Sequence, residues 1–537
     1  MSSDLGETSR FQRLQTRLAS CFGLVLGLVF VLALSLRLIY LNQMDQGIYF
    51  NILKMEGFDS FIFWKWALEI LEKDFFGRGV YHQSPLYPYF LAAIFKLSGA
   101  NFYIPRFIQI VLGSITCVMA AILGRRAGGA LSGLLAGILC AAYGPLILYD
   151  PAILREGLIT FLNTLLLLLM FRCQDKPRFA SGLALGVTFG LAILAKESIL
   201  IMLPVLPVWL YLNHTTVPGL KPVTLMSFGF VLGTALILSL LVARNLKVGA
   251  PAFEISSRGP LEFISGNVPD SPGVGWVIPP SSDRMLQAGE GKMTKVVWEV
   301  LKENRPNPWW LVRHQFTKLA ALLNSYEFPN NLSLYVEQRY VPFFRFPWPG
   351  WAVALALGVI GMGAGLKRWR ELFPLHAYVF LYALATVAFY IIDRFRLPVV
   401  PALLAFAGLG LAVILQAILE KRAGRAIALI LLAAGLIALN RPSPADRLLY
   451  ADYYNMARYH LISGQPDQAK AVLEEGIART REILEQKDSA EYRYRLALLL
   501  LLNNENRPAI LAEVDRALSL NPPLWIKLSL EQMRRQL

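Results

Sequence analysis

Residues 57–99 read GFDSFIFWKWALEILEKDFFGRGVYHQSPLYPYFLAAIFKLSG and follow the first long apolar run of the chain. Within this stretch, Asp59 precedes a segment with one aromatic face and one charged face, which predicts a helix lying along a membrane surface. Asp59 at the start of that helix has two possible roles, as its N-terminal cap or as a catalytic carboxylate. A protein that only crosses the bilayer does not need such a loop, so the loop points to an enzyme that uses lipid.

The rest of the chain is apolar enough to exclude an ordinary soluble protein, with 55% hydrophobic residues, 17% charged residues and a mean hydropathy of +0.47. Its apolar blocks have the length of about 20 residues that a membrane-spanning helix needs. They predict an all-α polytopic protein of about eleven transmembrane helices. A re-entrant pair is an alternative for 179–213. The blocks lie near residues 20–40, 104–124, 128–149, 154–171, 179–195, 198–213, 223–243, 349–366, 375–392, 397–418 and 425–440.

The net charge of +15 comes from basic clusters in alternate loops, which is the positive-inside pattern of membrane proteins and not a nucleic-acid footprint. The pattern predicts a bacterial inner-membrane protein with a cytoplasmic N-terminus, and it places both the Asp59 loop and the C-terminal tail outside. The four cysteines show no CxxC spacing and the five histidines form no cluster, so neither a disulfide framework nor a metal site is indicated. A divalent metal is not excluded.

Composition divides the chain into five regions. We predict a cytoplasmic N-terminus at 1–19, a catalytic membrane core at 20–243 that includes the external loop 41–103, an extracytoplasmic insertion at 244–348, further transmembrane helices at 349–440 and a tail at 441–537. The tail has the small-residue spacing of about two tetratricopeptide units, and a plain helical hairpin is the alternative. Two units are few for a solenoid, so the tail is expected to pack on the insertion or on a partner protein.

A second acidic site lies in YDPAILREGLITFL, where Asp150, Arg155 and Glu156 stand at the ends of two spans. Either Arg155 pairs locally with one of these acids, or Glu156 faces Asp59 and assists it. Basic residues at the outer ends of spans suit a phosphate group, with local pairing (Lys196 with Glu197, Arg394 with Asp393) as the alternative. These residues are Arg37, Lys196, Arg244, Arg394 and Arg396.

The loop at 57–99 resembles the first external loop of membrane glycosyltransferases with the GT-C fold, in the branch of protein O-mannosyltransferases and the lipid A aminoarabinose transferase. The motifs GLAILAKES, LNSYEFPNNLSLY and DRFRLPVVP extend the resemblance over about 20–440. It implies a polyprenyl-phosphate sugar as donor, a hydroxyl acceptor and transfer of a hexose or pentose on the outer face. Gln83-Ser84-Pro85 departs from the aminoarabinose branch, which argues against that sugar.

The resemblance implies roles for Asp59, Glu156, Lys196, Arg244, Arg394 and Arg396, and the sequence adds further candidates to these. The catalytic candidates are Asp59 as base, Glu156 and Asp150. The candidates for the lipid phosphate are Lys196, where many members have arginine, with Arg244, Arg394 and Arg396. The candidates for substrate contacts in the loops are His82, Gln83, Tyr87, Asn267 and Glu327.

Two other classes of function compete with a transferase. A transporter for lipid-linked glycans would need polar residues near the bilayer midplane, whereas the charges of this chain gather at the outer ends of spans. A non-catalytic envelope scaffold would use the tail to bind a protein partner. The sugar, the acceptor (protein, lipid or glycan) and the partner of the tail are not defined by the sequence.

Overall fold

The structure, a computed structural model, describes residues 10–214, 220–440, 448, 450–486 and 488–537. The N-terminal region predicted at 1–19 is therefore described from Arg10 onward, and the first residues of the predicted tail, 441–447, lie outside the described part. Within that part the chain is helical, with two isolated β-bridges, Val274–Ile391 and Asn330–Leu332, and no strand.

The membrane core consists of α1 to α11. Their bounds are α1 (Arg10–Ser20), α2 (Phe22–Gln43), α3 (Asp59–Glu72), α4 (Leu86–Ser98), α5 (Tyr103–Gly128), α6 (Ala130–Ala141), α7 (Gly144–Tyr149), α8 (Glu156–Asp175), α9 (Phe179–Ala195), α10 (Val205–His214) and α11 (Leu220–Lys247). Short helices in the insertion and four more apolar helices follow. They are α12 (Gly259–Asn267), α13 (Ser282–Ala288), α14 (Met293–Asn304), α15 (Pro308–Leu323), α16 (Leu334–Tyr340), α17 (Trp351–Gly365), α18 (Phe373–Ala388), α19 (Val400–Leu419) and α20 (Ala423–Leu439).

The predicted all-α polytopic membrane fold is confirmed. In the described residues six helical segments are long and apolar enough to cross a membrane, and five shorter apolar helices accompany them. Two predicted spans differ in detail. The stretch 128–149 is broken into α6 and α7, because Pro145 lies in the first turn of α7 and cannot continue a preceding helix. The stretch 198–213 is a 3-10 helix, Glu197–Met202, followed by the short α10.

Close packing in the membrane core depends on glycine at the contact of α9 with α11. A Cβ atom on Gly186 would lie 2.1 Å from the backbone oxygen of Phe230, and one on Gly233 would lie 2.4 Å from that of Leu183. The two backbones therefore touch directly, as in other membrane helix pairs built on small residues. This contact fixes the end of α9, where Lys196 follows.

The tail is a run of five helices, each packed on the next: α21 (Tyr450–Ile462), α22 (Pro466–Gln486), α23 (Ala490–Leu502), α24 (Arg507–Ser519) and α25 (Leu524–Gln536). A Cβ atom on Gly476 of α22 would lie 2.8 Å from the ring of Tyr453 in α21. The small residue at this position lets the two helices approach. The tetratricopeptide assignment stays a prediction.

A buried ion pair connects three elements of the core. Arg37 of α2 donates from Nε to Asp150 Oδ2 at 2.5 Å and from Nη1 to the carbonyl oxygens of Ala33 and Ala141. Both side chains are at least 97% buried. Gly113 of α5 makes room for the carboxylate, since a Cβ atom there would overlap it. The pair therefore has a structural role in joining α2, α5 and the end of α7.

We expect Arg37→Leu and Asp150→Asn each to lower the free energy of unfolding by about 3–5 kcal/mol, because each leaves one buried polar partner uncompensated. The double variant should recover part of this loss. Thermal unfolding in detergent micelles measures it. Arg479→Ala, at an exposed ion pair with Glu482, is the control and should change little. Full additivity of the two single losses would contradict this account of the pair.

Candidate active site

One arginine joins the two acidic sites that the sequence places far apart. Arg394 lies 2.8 Å from Asp59 Oδ2 through Nη2 and donates from Nη1 to Glu156 Oε1 at 3.2 Å. Asp59 is the first residue of α3, Glu156 is the first residue of α8, and Arg394 stands in the 3-10 turn before α19. All three side chains are buried. The structure therefore brings together three of the predicted site residues.

The turn that carries Arg394 is held by its neighbour Asp393. One carboxylate oxygen of Asp393 accepts from the backbone N–H of Arg394 at 2.6 Å, and the other accepts from the hydroxyl of Tyr149 at 2.9 Å. The side chains of Arg394 and Asp393 therefore form no ion pair with each other, contrary to the local-pairing alternative. The guanidinium is free to reach Asp59 and Glu156.

The carboxylate of Asp59 is not used as a helix cap. Phe58 is the N-cap residue of α3, and the oxygens of Asp59 accept from Asn331 Nδ2 at 2.9 Å and from Gln83 Nε2 at 3.4 Å. Asn331 also accepts the backbone N–H of Asp59 at 2.7 Å, which makes a reciprocal pair. Asn331 has a φ of 67°, a left-handed conformation that asparagine tolerates better than most residues. The pair orients Asp59 toward open space.

The charge state of Asp59 follows from its cationic neighbours. Burial alone would raise the pKa of this carboxyl group, but the positive charges of Arg394, Arg155 and Arg258 outweigh it and hold the pKa well below its usual range. Asp59 is therefore ionised at every physiological pH. An ionised, buried carboxylate is a hydrogen-bond acceptor only.

Two further cations near this site have no ion-pair partner within 4.0 Å among the described residues. Lys196 lies over the ring of Phe395 at 3.3 Å, and Glu197 accepts instead from Ser84 at 2.8 Å. Arg155 is 5% exposed and its Nε has no hydrogen-bond partner. Burial and then the charge of Arg155 lower the pKa of Lys196 to about 7. Two adjacent cations without a counter-ion are the arrangement that an anionic ligand would stabilise.

Three of the predicted residues are held by other parts of the fold. Asp150 pairs with Arg37, as described above. Arg244 donates to the backbone oxygens of Phe76 and Gly79, and Arg396 pairs with Glu327 at 3.3 Å. These contacts hold α11 to the first loop and α19 to the insertion. The structure does not bring Asp150, Arg244 or Arg396 into contact with Asp59, and their predicted roles stay predictions.

Of the remaining predicted loop residues, some lie at the site and others are held elsewhere in the fold. Gln83 contacts Asp59, and His82 stands at the mouth of the site, 3.3 Å from Arg258. Tyr87 donates to Gln109 inside the core at 2.8 Å. Asn267 accepts from Lys318 at 3.0 Å and donates to two backbone oxygens, so it joins α12 to α15 and α18. Contacts of Tyr87, Asn267 and Glu327 with a substrate stay predictions.

A cavity of about 480 Å³ opens beside Asp59 and Arg394. Sequence reasoning missed several residues that line it. Asn331 lies in LNSYEFPNNLSLY, and its reciprocal pairing with Asp59 connects segments that no local pattern relates. The other lining residues not predicted as site residues are Gly57, Phe58, Ile62, Arg258, Leu261, Trp276, Ile278, Asn330, Asn455 and Arg458.

No group of three or more His, Cys, Asp or Glu side chains that could hold a metal ion occurs in the part of the chain that the structure describes. The carboxylates of the site are joined through an arginine.

Comparison with known families bears on the first half of the site. A family model described as dolichyl-phosphate-mannose-protein mannosyltransferase matches residues 82–243. The match confirms, over that part of the chain, the resemblance to GT-C membrane glycosyltransferases. It includes Gln83, Glu156 and Lys196, whereas Asp59 and Arg394 lie outside it. No curated protein matches the sequence.

Similar solved structures include the oligosaccharyltransferase of Archaeoglobus fulgidus. Its apo form is 13% identical with a TM-score of 0.45, and the match covers 88% of this chain and 59% of that chain. Its complex with an inhibitory peptide and a dolichol-phosphate is 14% identical with a TM-score of 0.44 and the same coverage. The chain spans about three fifths of the length of these structures, and likeness at this level carries no argument.

The pKa of Lys196 predicts a pH dependence for anion binding. Free Lys196 loses its proton above about pH 7, whereas a bound phosphate would keep it protonated. Binding then takes up a proton at higher pH, so the affinity should fall by up to about tenfold per pH unit. Thermal stabilisation of the purified protein by polyprenyl phosphate, titrated between pH 6 and 9, measures this affinity.

The matched control for this titration is Lys196→Arg, since a guanidinium stays charged over the whole range. The phosphate titrates equally in both experiments. We therefore expect a flatter pH profile for the variant. An identical decline in the wild type and in Lys196→Arg would exclude Lys196 as the titrating group.

Proposed function

We propose that this chain is an integral-membrane glycosyltransferase that moves a sugar from a polyprenyl-phosphate donor to an acceptor hydroxyl on the outer side of the membrane. One observation carries the proposal. An ionised, buried carboxylate, Asp59, lines a 480 Å³ cavity, and the nearby Arg155 has no counter-ion within 4.0 Å among the described residues. The family match over 82–243 supports the reaction class.

Asp59 would act as the base that receives the proton of the acceptor hydroxyl. Its low pKa makes it a weak base for a free hydroxyl group. Proton transfer would therefore come late, when the new bond to the sugar has made that hydroxyl far more acidic. Asn331 and Arg394 fix the carboxylate on opposite sides, so little reorientation is needed during the reaction.

Lys196, Arg155 and Arg394 would hold the phosphate of the donor. The bond between the anomeric carbon and the phosphate oxygen breaks, the bond to the acceptor oxygen forms, and polyprenyl phosphate leaves with one more negative charge. Cations placed beforehand around that oxygen stabilise this charge as it develops. The two cations without ion partners, Lys196 and Arg155, have this role in the proposal.

Glu156 would contact the sugar. Its Oε1 accepts from Arg394, while its Oε2 is buried and has no hydrogen-bond partner. A buried carboxylate oxygen without a partner is costly, and a sugar hydroxyl would satisfy it. The proposal therefore gives Glu156 the role of orienting the donor sugar and Asp59 that of receiving the proton.

The location of this chemistry follows from the charge pattern. The basic clusters of the sequence meet at one end of the bundle, where Arg126 pairs with Asp175 and Arg368 donates to the backbone of Ala127. At the opposite end of α5, a helix about 39 Å long, the N-cap residue Phe102 contacts Trp64 of α3, the helix that begins with Asp59. Together with the positive-inside rule, this charge pattern supports a site on the outer side of a bacterial inner membrane.

We expect Asp59→Asn to reduce transfer by about 10²–10⁴-fold, because the amide cannot receive the proton. Asp59→Glu should retain partial activity. The readout is mass spectrometry of glycoproteins and glycolipids from a deletion strain complemented with each variant. Asp45→Asn, the same change at an exposed residue of the same loop, is the matched control and should leave transfer unchanged.

Folding is checked separately, by the yield and melting temperature of each purified variant. Arg394 keeps its contact with Glu156 when Asp59 becomes neutral, so the Asp59→Asn protein should remain folded. A folded Asp59→Asn variant with wild-type glycan products would contradict the role of Asp59. An unchanged set of glycoproteins and glycolipids on deletion of the whole protein would contradict the proposed function.

A further inference from the structure

The outer wall of the cavity beside Asp59 is formed in part by the tail. Two of the residues that line it, Asn455 and Arg458, belong to α21 and come almost 400 positions after Asp59 in the sequence. The sequence predicted that the tail packs on the insertion or on a partner protein. In the structure its first helix reaches the mouth of the candidate active site.

Specific contacts fix α21 in this position. Arg458 donates to the backbone oxygen of Glu56 at 3.0 Å, three residues before Asp59. Lys54 in the same loop donates to Ser463 at 3.0 Å, and Tyr340 of α16 lies 3.1 Å from His460. Each contact joins the first α-helix of the tail, or the turn directly after it, to a segment close to the site.

The next helix of the tail is anchored as well. Arg339 of α16 makes a two-pronged ion pair with Glu475 of α22, at 2.8 and 2.7 Å. A paired fork of this kind fixes orientation as well as distance. The tail is therefore held on the insertion from two of its helices, and α21 is a fixed part of the cavity wall.

The three arginines that line the cavity differ in whether a carboxylate neutralises them. Arg394 is shared by Asp59 and Glu156, and Arg258 pairs with Glu262 at 3.3 Å. Arg458 has no carboxylate within 4.0 Å among the described residues, and its hydrogen bond goes to a neutral backbone oxygen. A guanidinium at a cavity without a counter-ion suits a carboxylate or a phosphate of a ligand.

The surroundings indicate from which side that ligand arrives. The cavity is lined by the first loop with α3, by α12 and the segment after it, by Asn330 and Asn331, and by α21. Among the described residues, Arg394 is its only lining residue from a segment long and apolar enough to cross a membrane. Neither Lys196 nor Arg155, the proposed phosphate side, is among its lining residues. The cavity thus opens toward water-exposed parts of the chain, which favours a polypeptide acceptor over a lipid one.

We propose that α21 forms the acceptor side of the active site and that Arg458 binds an acidic side chain of a polypeptide acceptor, close to the hydroxyl that receives the sugar. The inference rests on the proposed transferase function. The amide of Asn455 would hydrogen-bond the extended backbone of that segment, and Trp276 provides an apolar wall. Arg458 is then a specificity-determining residue and not a catalytic one.

The test uses the full-length protein in a deletion strain. Strains carrying the wild type, Arg458→Ala, Arg458→Lys or Arg458→Glu are compared by quantitative mass spectrometry of glycopeptides. Loss of one charge-assisted hydrogen bond should lower the glycopeptide yield at least about tenfold in Arg458→Ala. Arg458→Glu should be lower still, and Arg458→Lys intermediate. Modified hydroxyl residues in the wild-type strain should lie next to Asp or Glu.

Arg479→Ala is the matched control, since Arg479 lies in the same tail but pairs on the surface with Glu482. It should match the wild type. The purified Arg458→Ala protein should melt close to the wild-type temperature, because the contacts of Lys54, Tyr340 and Arg339 still hold the tail. It should be stabilised equally by added polyprenyl phosphate. A loss of that stabilisation would mean that Arg458 serves the fold or the donor, and it would overturn the inference.

Three other results would also overturn the inference. They are a wild-type glycopeptide yield in Arg458→Ala, modified sites without neighbouring acidic residues, and a variant that loses only glycolipid products. These results leave the transferase proposal intact as long as Asp59→Asn abolishes transfer. Unchanged glycan products in the Asp59→Asn strain would instead remove the transferase proposal, and the role of Arg458 as an acceptor residue with it.

Discussion

The shared ion pair of Arg394 with Asp59 and Glu156 is the interaction on which the candidate site depends. A buried charge must be compensated, and here the single positive charge of Arg394 is shared by the negative charges of two carboxylates. Those three groups come from the first external loop, the start of α8 and the turn before α19. Removing Arg394 would leave two buried carboxylates uncompensated, whereas removing either carboxylate leaves the guanidinium paired with the other.

Two separate groups of positively charged residues lie around this centre. On one side, Lys196 and Arg155 lie without counter-ions and suit the phosphate of a lipid-linked donor. On the other side, the 480 Å³ cavity with Arg458 at its wall suits an acceptor that enters from water. Asp59 lines this cavity and also feels the charge of Arg155, so in the proposed mechanism it is placed to receive the acceptor proton.

The sequence predicts the members of this centre better than their partners. Asp59, Glu156, Arg394 and Lys196 can be predicted because charges at the ends of apolar spans are costly unless they are used. Asn331 cannot, since its role is a reciprocal hydrogen bond to a residue in a distant segment. Arg244 follows the same pattern as Arg394, yet its Nε and Nη1 donate to backbone oxygens of the first loop, and only its buried Nη2 has no partner among the described residues. Pattern alone does not distinguish a structural arginine from one that meets a ligand.

The fold shows the same limit. Apolar length predicts the membrane helices, whereas the break of 128–149 into α6 and α7 depends on a proline and on contacts around it. Composition predicts a helical tail. It does not predict that α21 reaches the candidate active-site cavity, because that position rests on several long-range contacts, such as those of Arg458 with Glu56 and of Arg339 with Glu475. Long-range pairings of this kind appear only when the chain is folded.

The most direct test of the account is a density map of the protein in nanodiscs with bound polyprenyl phosphate. The account predicts the phosphate among Lys196, Arg155 and Arg394, within reach of Asp59, with the polyprenyl chain leaving into the bilayer. A phosphate bound at Arg244 or Arg396, or at the basic end of the bundle around Arg126, would contradict it.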